Sequence, residues 1–316
     1  MTTAAQSLAQ AVRGGLVDTR STLTGQVCVA AIGASNIVHR VDKDDRAVAY
    51  VKATGMAAGL DGDDSVARER LVVGLLAGTS IVPTPLSLST ESELWLAPVA
   101  GASLADLSFA GDASGITAGF AALGTTLAQL HRTSLPAQAP RLRPPWPLLD
   151  LLPPHMDSAK HHAVPTLVIE TARSWPDVMA AAAQAWRATA WTHGDVSAMN
   201  VILASDGSAR LIDWESAGAG DPSWDLAGAQ MLAAALLPGQ VEIAMARLRH
   251  AYRAAGGPAA EPSRALRCVR TLCAAYQVAV GAFTVDRQPD YDGSVTKLLK
   301  DAALLADTHR SHHVLP

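Results

Sequence analysis

The chain has 316 residues, of which 25 are Lys or Arg and 29 are Asp or Glu, so that its formal net charge at pH 7 is −4. This length allows two domains with separate cores, and the slightly acidic balance argues against a protein that binds nucleic acid or an anionic membrane. The three cysteines form no even disulfide framework, which indicates a reducing compartment.

The first third of the chain reads as a small β-rich region with one helix. The N-terminus lacks the apolar core of a signal peptide and no apolar run approaches about 18 residues, so we expect a cytoplasmic protein. Residues 26–54 predict three strands separated by GASN and DKDD turns. Residues 63–78 predict a helix, and TPLSLS and ELWLAPV predict two further strands. We place a domain boundary near residues 99–101.

Beyond this boundary the pattern is predominantly helical. Residues 114–134 form a long amphipathic helix candidate, whereas the proline-rich stretch at 135–154 is interpreted as a long functional loop. Further helices are predicted within the ranges 164–187, 223–236, 238–256, 261–285 and 293–309.

The polar residues with the strongest chemical pattern lie in WTHGDVSAMNVILASDGSARLIDWESAG, at 191–218. Asp195 is followed at the fifth position by Asn200, then by two short strand-like runs and Asp213. This is the order of a kinase catalytic loop, a β-hairpin and a metal-binding Asp. Taken singly, Asp195 fits a helix cap, Asp213 a turn and His193 a buried core histidine. Their joint spacing favours catalysis.

HGDVSAMN together with IDWESAGAGDPSWDLAG resembles the aminoglycoside phosphotransferase and choline kinase-like families, which share the protein-kinase fold. The resemblance implies an α+β bilobal fold. A small antiparallel-β lobe with one helix, residues 1–99, would bind nucleotide, and a larger mainly helical lobe, residues 100–316, would hold the catalytic and acceptor sites. It further implies ATP or GTP as phosphoryl donor with Mg²⁺.

The same resemblance assigns roles around the catalytic loop. Asp195 is expected to orient and deprotonate the acceptor hydroxyl, and Asn200 and Asp213 to hold Mg²⁺. Three further residues are expected to act structurally or next to the site: His193 by hydrogen-bonding backbone to shape the loop, Asp225 by capping toward the loop, and Glu215 beside the metal or the acceptor.

In the first lobe, Lys52 on the third strand is the expected cation for the nucleotide phosphates. Glu69 shares a helix face with Val66 and Val73, so that it points inward and requires a partner, which Lys52 provides. The alternatives are a solvent-exposed strand lysine and a solvated glutamate.

The remaining nucleotide contacts are expected at a turn and at the segment between the lobes. The GASN turn, including Ser35 and Asn36, would lie over the phosphates and donate backbone N–H groups. Because Pro98 has no N–H, a bound base would use the Ala97 carbonyl and the Val99 N–H, unless this segment is a plain linker. Backbone contacts of this kind do not distinguish ATP from GTP.

Three function classes follow. The first is a phosphotransferase acting on a hydroxyl of a small natural product, antibiotic-like or weakly charged compound. The second is a Ser/Thr kinase of a ribosomal precursor peptide in lanthipeptide- or thioamitide-type biosynthesis, working with a biosynthetic partner enzyme before elimination. The third, a catalytically inactive binding module, is disfavoured because the required polar residues are all present.

Charge is the one sequence feature that bears on the acceptor. An aminoglycoside is a polycation, and its site should be lined by carboxylates. Residues 136–187 instead contain five Lys or Arg against four Asp or Glu, with three tryptophans and many prolines. We therefore expect poor turnover of aminoglycosides and an acceptor that is weakly charged or a Ser/Thr-containing peptide.

Overall fold

The computed structural model of the protein describes residues 2–32, 37–54, 65–149, 162–284 and 290–313. Its N-terminal part is built on a four-stranded antiparallel sheet whose strands are neighbours in sequence order. The strands are β1 (Val27–Ala31), β2 (Ile37–Lys43), β3 (Arg46–Ala53) and β4 (Glu93–Leu96). The predicted meander at 26–54 is therefore confirmed.

Two short helices that the sequence analysis did not predict precede this sheet. These are α1 (Ala4–Arg13), which begins with a capping box at Thr3, and α2 (Thr19–Leu23), which is capped by Asp18. The predicted helix after β3 is present as α3 (Ser65–Leu75).

One strand prediction is wrong. Residues 84–89, the TPLSLS run, contain only an isolated bridge between Pro85 and Leu96. The run lies beside β4 and makes single backbone hydrogen bonds to it and to its end. Because Pro83 and Pro85 have no N–H group, a regular ladder cannot form there.

The rest of the described chain is mainly helical. The helices are α4 (Leu104–Phe109), α5 (Ala113–Arg132), α6 (Ala163–Arg173), α7 (Pro176–Ala185), α8 (Pro222–Leu236), α9 (Val241–Ala254), α10 (Arg264–Thr284) and α11 (Asp290–His313). Five short strands accompany them: β5 (Ala102–Ser103), β6 (Ala190–Thr192), β7 (Val201–Leu203), β8 (Ala209–Leu211) and β9 (Gly218–Gly220). The predicted fold class is confirmed.

The short strands are what place the catalytic loop. β5, β7 and β8 form one small antiparallel sheet, and β6 pairs with β9 in another. The loop at 193–200 therefore leaves one sheet and enters the other, and both of its ends are fixed. The predicted functional loop is irregular from residue 135 to 149 except for an isolated bridge between Arg141 and Ala219 and a 3₁₀ turn at Trp146–Leu148. Its last residues, 150–154, lie outside the described residues.

The largest core runs from α3 through α5 to α8, α9 and the hairpin formed by β7 and β8. On α5, Leu123, Leu127 and Leu130 follow helical spacing and are wholly buried. A second core joins α6, α7, α10 and α11. Across the described ranges, none of the helices combines the length and the apolar character needed to cross a membrane. The division into residues 1–99 and 100–316 stays a prediction.

Candidate active site

The catalytic loop brings Asp195 and Asn200 together. Asn200 Nδ2 donates to Asp195 Oδ2 at 2.9 Å and to the Asp195 carbonyl at 3.1 Å. Both hydrogen bonds use the amide nitrogen, so the amide oxygen of Asn200 is the atom left to accept or to ligate a cation. The side chain of Asp195 is 40% exposed, whereas Asn200 is buried. The loop thus exposes the Asp195 carboxylate to solvent, and the buried Asn200 side chain holds it in place through hydrogen bonds.

A buried carboxylate on α8 holds the start of this loop. Asp225 accepts the backbone N–H groups of His193 at 2.8 Å and Gly194 at 2.9 Å, and its Oδ2 lies 3.2 Å from His131 Nε2. Burial alone would raise the pKa of Asp225, but the hydrogen bond and charge of His131 and the His193 N–H lower it below its ordinary value. An ionised Asp225 therefore fixes the loop backbone.

The His193 side chain ties the loop to the hairpin that follows it. Its Nε2 lies 3.0 Å from the Ile212 carbonyl, to which it must donate, and its Nδ1 accepts the Asp195 N–H at 3.3 Å. These two partners require the neutral ring with its proton on Nε2. His193 is wholly buried and packs edge-on against Trp214. Both ring nitrogens are thus engaged within the loop and the hairpin, and the structural role expected of His193 stays a prediction.

Lys52 on β3 joins the two lobes. Its Nζ donates to Glu69 Oε2 at 2.7 Å and makes a short contact with Asp213 Oδ1. Burial alone would lower the pKa of Lys52, but the charges of Glu69 and Asp213 outweigh it and raise the pKa above its ordinary value. Lys52 is therefore a fixed cation beside Asp213.

Glu69 is anchored at both of its oxygens. It is wholly buried on α3, and its Oε1 accepts the backbone N–H of Trp214 at 3.2 Å. Burial raises the pKa of Glu69, against the opposing effect of Lys52. The helix of the first lobe is thus linked directly to the turn that carries Asp213.

Asp213 lies at the end of β8 in a left-handed backbone conformation, with φ 67° and ψ 68°. This region costs a non-glycine residue about 1 to 3 kcal/mol and persists only where the surroundings impose it. The Trp214 N–H bond to Glu69 and the 3₁₀ turn at Trp214–Ser216 supply that constraint. The strained turn points the Asp213 carboxylate toward Lys52.

Glu215 completes a cluster of carboxylates around one lysine. Burial, with the nearby charge of Asp213, raises the pKa of Glu215 to about 7, and Glu69 and Asp195 also contribute repulsion. The cluster of Asp195, Asp213, Glu215 and Glu69 has more negative charge than Lys52 offsets. This excess of negative charge would attract a cation.

The cation would need ligands besides these side chains. Within the described ranges, no three His, Cys, Asp or Glu side chains are grouped so as to hold a metal by themselves. Mg²⁺ is compatible with this arrangement because it is commonly bound by one or two protein oxygens together with phosphate oxygens. Asn200 and Asp213 are the oxygen donors that the loop and the hairpin offer.

The other residues predicted to contact the nucleotide have few or no contacts described in the structure. Ala97 and Val99 are half-buried in the segment after β4, and the Ala97 N–H donates to the Thr84 carbonyl at 2.8 Å. Ser35 and Asn36 lie outside the described residues. Their predicted roles stay predictions.

Sequence reasoning missed two residues that touch the site. His131, near the end of α5, contacts Asp225, and Arg270 of α10 lies with its Nη2 3.8 Å from Asp195 Oδ1. Both lie far from the catalytic motif in sequence, and neither stands in a motif. A His followed by Arg in the last turn of an amphipathic helix reads as a favourable helix end.

A family model described as the phosphotransferase enzyme family matches residues 27–285. The chain belongs to this family. A search of curated protein sequences finds no match. The matched region of the phosphotransferase contains the four-stranded sheet, Lys52, Glu69, the catalytic loop and Arg270, so the predicted family resemblance is confirmed over most of the chain.

Solved structures similar to this phosphotransferase share its fold at low sequence identity. Choline kinase LicA from Streptococcus pneumoniae has a TM-score of 0.60 at 15% identity, covering 92% of this chain and 96% of that one. Macrolide 2'-phosphotransferase MphH from Brachybacterium faecium has 0.56 at 19%, covering 92% and 97%. A Plasmodium vivax ethanolamine kinase has 0.57 at 12%, covering 93% and 87%.

Proposed function

We propose that this phosphotransferase transfers the γ-phosphoryl group of a Mg²⁺-bound nucleoside triphosphate to a hydroxyl of a small, weakly charged compound. The observation that carries the proposal is the convergence of two sets of side chains from separate elements. Asp195 and Asn200 come from the catalytic loop, and Lys52 and Asp213 meet across the lobes. The Ile212 N–H donates to the Asn200 carbonyl at 3.0 Å, so the loop and the turn that carries Asp213 are adjacent.

Lys52 would bind the phosphates of the donor, because it is a charged, partly buried side chain next to Asp213, the carboxylate that would hold the metal. A bound Mg²⁺ would offset negative charge on the transferred phosphoryl group. Asn200 and Asp213 are the residues that would hold it. Glu69 keeps Lys52 in place and does not touch the donor.

Asp195 would accept the hydrogen bond of the acceptor hydroxyl. As the hydroxyl oxygen bonds to the γ-phosphorus, the bond to the β–γ bridging oxygen breaks, and nucleoside diphosphate leaves with that electron pair. The hydroxyl proton passes to Asp195 Oδ1, because Oδ2 already accepts from Asn200. His193 and Asp225 take no part in this transfer and hold the loop backbone.

The similar structures support the choice of donor and acceptor. LicA has been solved in complex with AMP, which favours an adenine nucleotide here. Choline and ethanolamine, which name two of the similar enzymes, are small molecules with a single hydroxyl, and a third similar enzyme is named for a macrolide. A small hydroxyl compound is therefore favoured over a peptide as the acceptor.

The experiment has two stages. Calorimetric titration with a non-hydrolysable ATP analogue, with and without Mg²⁺, should show binding that Mg²⁺ strengthens. Mass spectrometry after incubation with Mg-ATP should then detect products heavier by one phosphate in a panel of small hydroxyl compounds. Aminoglycosides and any precursor peptide encoded beside the gene form separate arms, and phosphorylation confined to the peptide arm would replace this proposal with the peptide kinase.

A further inference from the structure

Arg270 lies on the acceptor side of the catalytic carboxylate. It projects from α10, is 8% exposed, and has its guanidinium carbon 4.8 Å from the centre of the Trp224 ring. Its Nη2 is 3.8 Å from Asp195 Oδ1, which is beyond hydrogen-bond distance. Its Nε is buried and has no hydrogen-bond partner among the described residues.

This arrangement leaves a buried cation with its Nε donor unpartnered and with only a long ion pair to Asp195. A guanidinium carries five N–H donors, and burying it without hydrogen bonds is unfavourable. Stacking on Trp224 offsets part of the charge but satisfies no donor. A planar oxyanion, by contrast, accepts two parallel N–H bonds from a guanidinium. The chemistry of Arg270 therefore suits a carboxylate or phosphate bound beside the exposed carboxylate of Asp195.

The surrounding charges point the same way. Of the arginines on helix α10, Arg270 is the one placed beside Asp195, whereas Arg267 lies near Glu242, Glu261 and Gln230. The acidic residues near the donor, Asp213 and Glu215, interact with Lys52. An ammonium group entering beside Asp195 would meet the Arg270 guanidinium at short range, and like charges at this distance are repulsive. On the side of Asp195 that faces Arg270, this repulsion opposes an acceptor with a cation next to its hydroxyl.

We propose that Arg270 binds an oxyanion of the acceptor, a carboxylate or a phosphate, adjacent to the hydroxyl that Asp195 deprotonates. This inference rests on the proposed function and changes its acceptor from a weakly charged compound to an anionic one, either a hydroxy acid or a phosphorylated alcohol. Arg270 then determines specificity, since it distinguishes acceptors by the charge beside the reacting hydroxyl.

The test is a charge-sorted panel of hydroxyl compounds assayed with Mg-ATP by mass spectrometry. Its arms are hydroxycarboxylates, phosphorylated alcohols, neutral polyols, and amino alcohols that include choline and ethanolamine. We expect phosphorylation in one of the two anionic arms, and which arm responds identifies the oxyanion. Products only from neutral or cationic compounds, or none from the anionic compounds, would overturn the inference.

Variants then connect the preference to the residue. Arg270→Met should lower kcat/KM for the anionic acceptor by about tenfold to a hundredfold, as expected for loss of a charge-assisted pair, with little change for a neutral analogue. Arg270→Lys should retain part of the preference. Arg267→Met, one turn away on the same helix, should leave it intact. An equal loss on every acceptor and on hydrolysis by water would instead assign Arg270 to the transferred phosphoryl group.

Nucleotide binding separates this inference from the proposed function. Wild type and both Arg270 variants should bind the Mg-ATP analogue with the same affinity, which also shows that the variants are folded. A protein that binds no nucleotide refutes the proposed function. A protein that binds nucleotide and phosphorylates choline-like compounds refutes only the oxyanion at Arg270.

Discussion

Removal of the Lys52 ammonium isolates the energetic consequence of the buried Glu69 carboxylate. In Lys52→Met, Glu69 loses its cation but remains wholly buried with a single backbone donor, the Trp214 N–H. Ionised, it would be strongly destabilising, so the folded protein should take up a proton there. Neutralising a carboxyl whose ordinary pKa is 4.5 costs about 1.4 kcal/mol for each pH unit above that value.

The size of the effect follows from that cost. The variant should lose about 3 kcal/mol of unfolding free energy at pH 7, and less than about 1 kcal/mol at pH 5. The sign follows because the folded variant holds a proton that the unfolded chain releases above pH 4.5, so stability falls as pH rises. In wild type the Lys52 charge opposes the effect of burial, but the pKa of Glu69 is still raised, so part of this dependence is already present there and the losses above are upper values relative to wild type.

Urea denaturation at the two pH values measures this directly. Lys43→Met is the matched control, because Lys43 pairs with Asp18 at 2.8 Å on the surface of the same sheet. That variant should lose much less stability, and equally at both pH values. A Lys52→Met loss that does not change with pH, or that is no larger than the control, would refute the account of Glu69.

Three other changes test the loop, its strain and the metal site. Asp225→Asn should lose about 3 kcal/mol of unfolding free energy at pH 7, as measured by urea denaturation. Because the lowered pKa makes the Asp225 carboxylate stabilising above pH 3.8, the difference in stability from wild type should become smaller as the pH falls below that value. A difference that does not change with pH would contradict this role of the carboxylate. Gly194→Ala should lower the melting temperature more than Gly207→Ala. Both glycines have positive φ, but of the two only Gly194 would place a Cβ 2.9 Å from a backbone oxygen. Equal melting temperatures of the two variants would contradict this close contact at Gly194. Asp213→Ala should bind a non-hydrolysable ATP analogue with the same affinity with and without Mg²⁺, and calorimetry showing that Mg²⁺ still strengthens binding would move the metal site elsewhere.

Local sequence patterns were enough to predict the parts of the site that lie close together in the chain. The Asp195 to Asn200 spacing and the following hairpin predicted a loop that brings these two side chains together, as they are in the structure. The inward face of the helix around Glu69 predicted a carboxylate that needs a cation, and the structure places Lys52 there. Each of these inferences needed only a period, a spacing or the requirement that a buried charge be paired.

Long-range packing accounts for what the sequence did not predict. Arg270 reaches Asp195 only because α10 packs across α8, and no pattern around residue 270 indicates this. The TPLSLS run has strand-like alternation, but Pro85 within it and Pro83 just before it limit its pairing with β4 to single hydrogen bonds. The contact of His131 with Asp225 could not be predicted from the sequence either, because it depends on how α5 and α8 pack together.

The most direct test of the central claim compares binding with turnover in Asp195→Ala. The proposed mechanism predicts that this variant binds the Mg-ATP analogue with nearly wild-type affinity, because Asp195 contacts the acceptor and not the donor. Its phosphorylation of an acceptor that wild type uses should fall by about a hundredfold to ten-thousandfold, the usual contribution of a positioned general base. Wild-type turnover in Asp195→Ala would contradict the assignment of the catalytic carboxylate and with it the proposed mechanism.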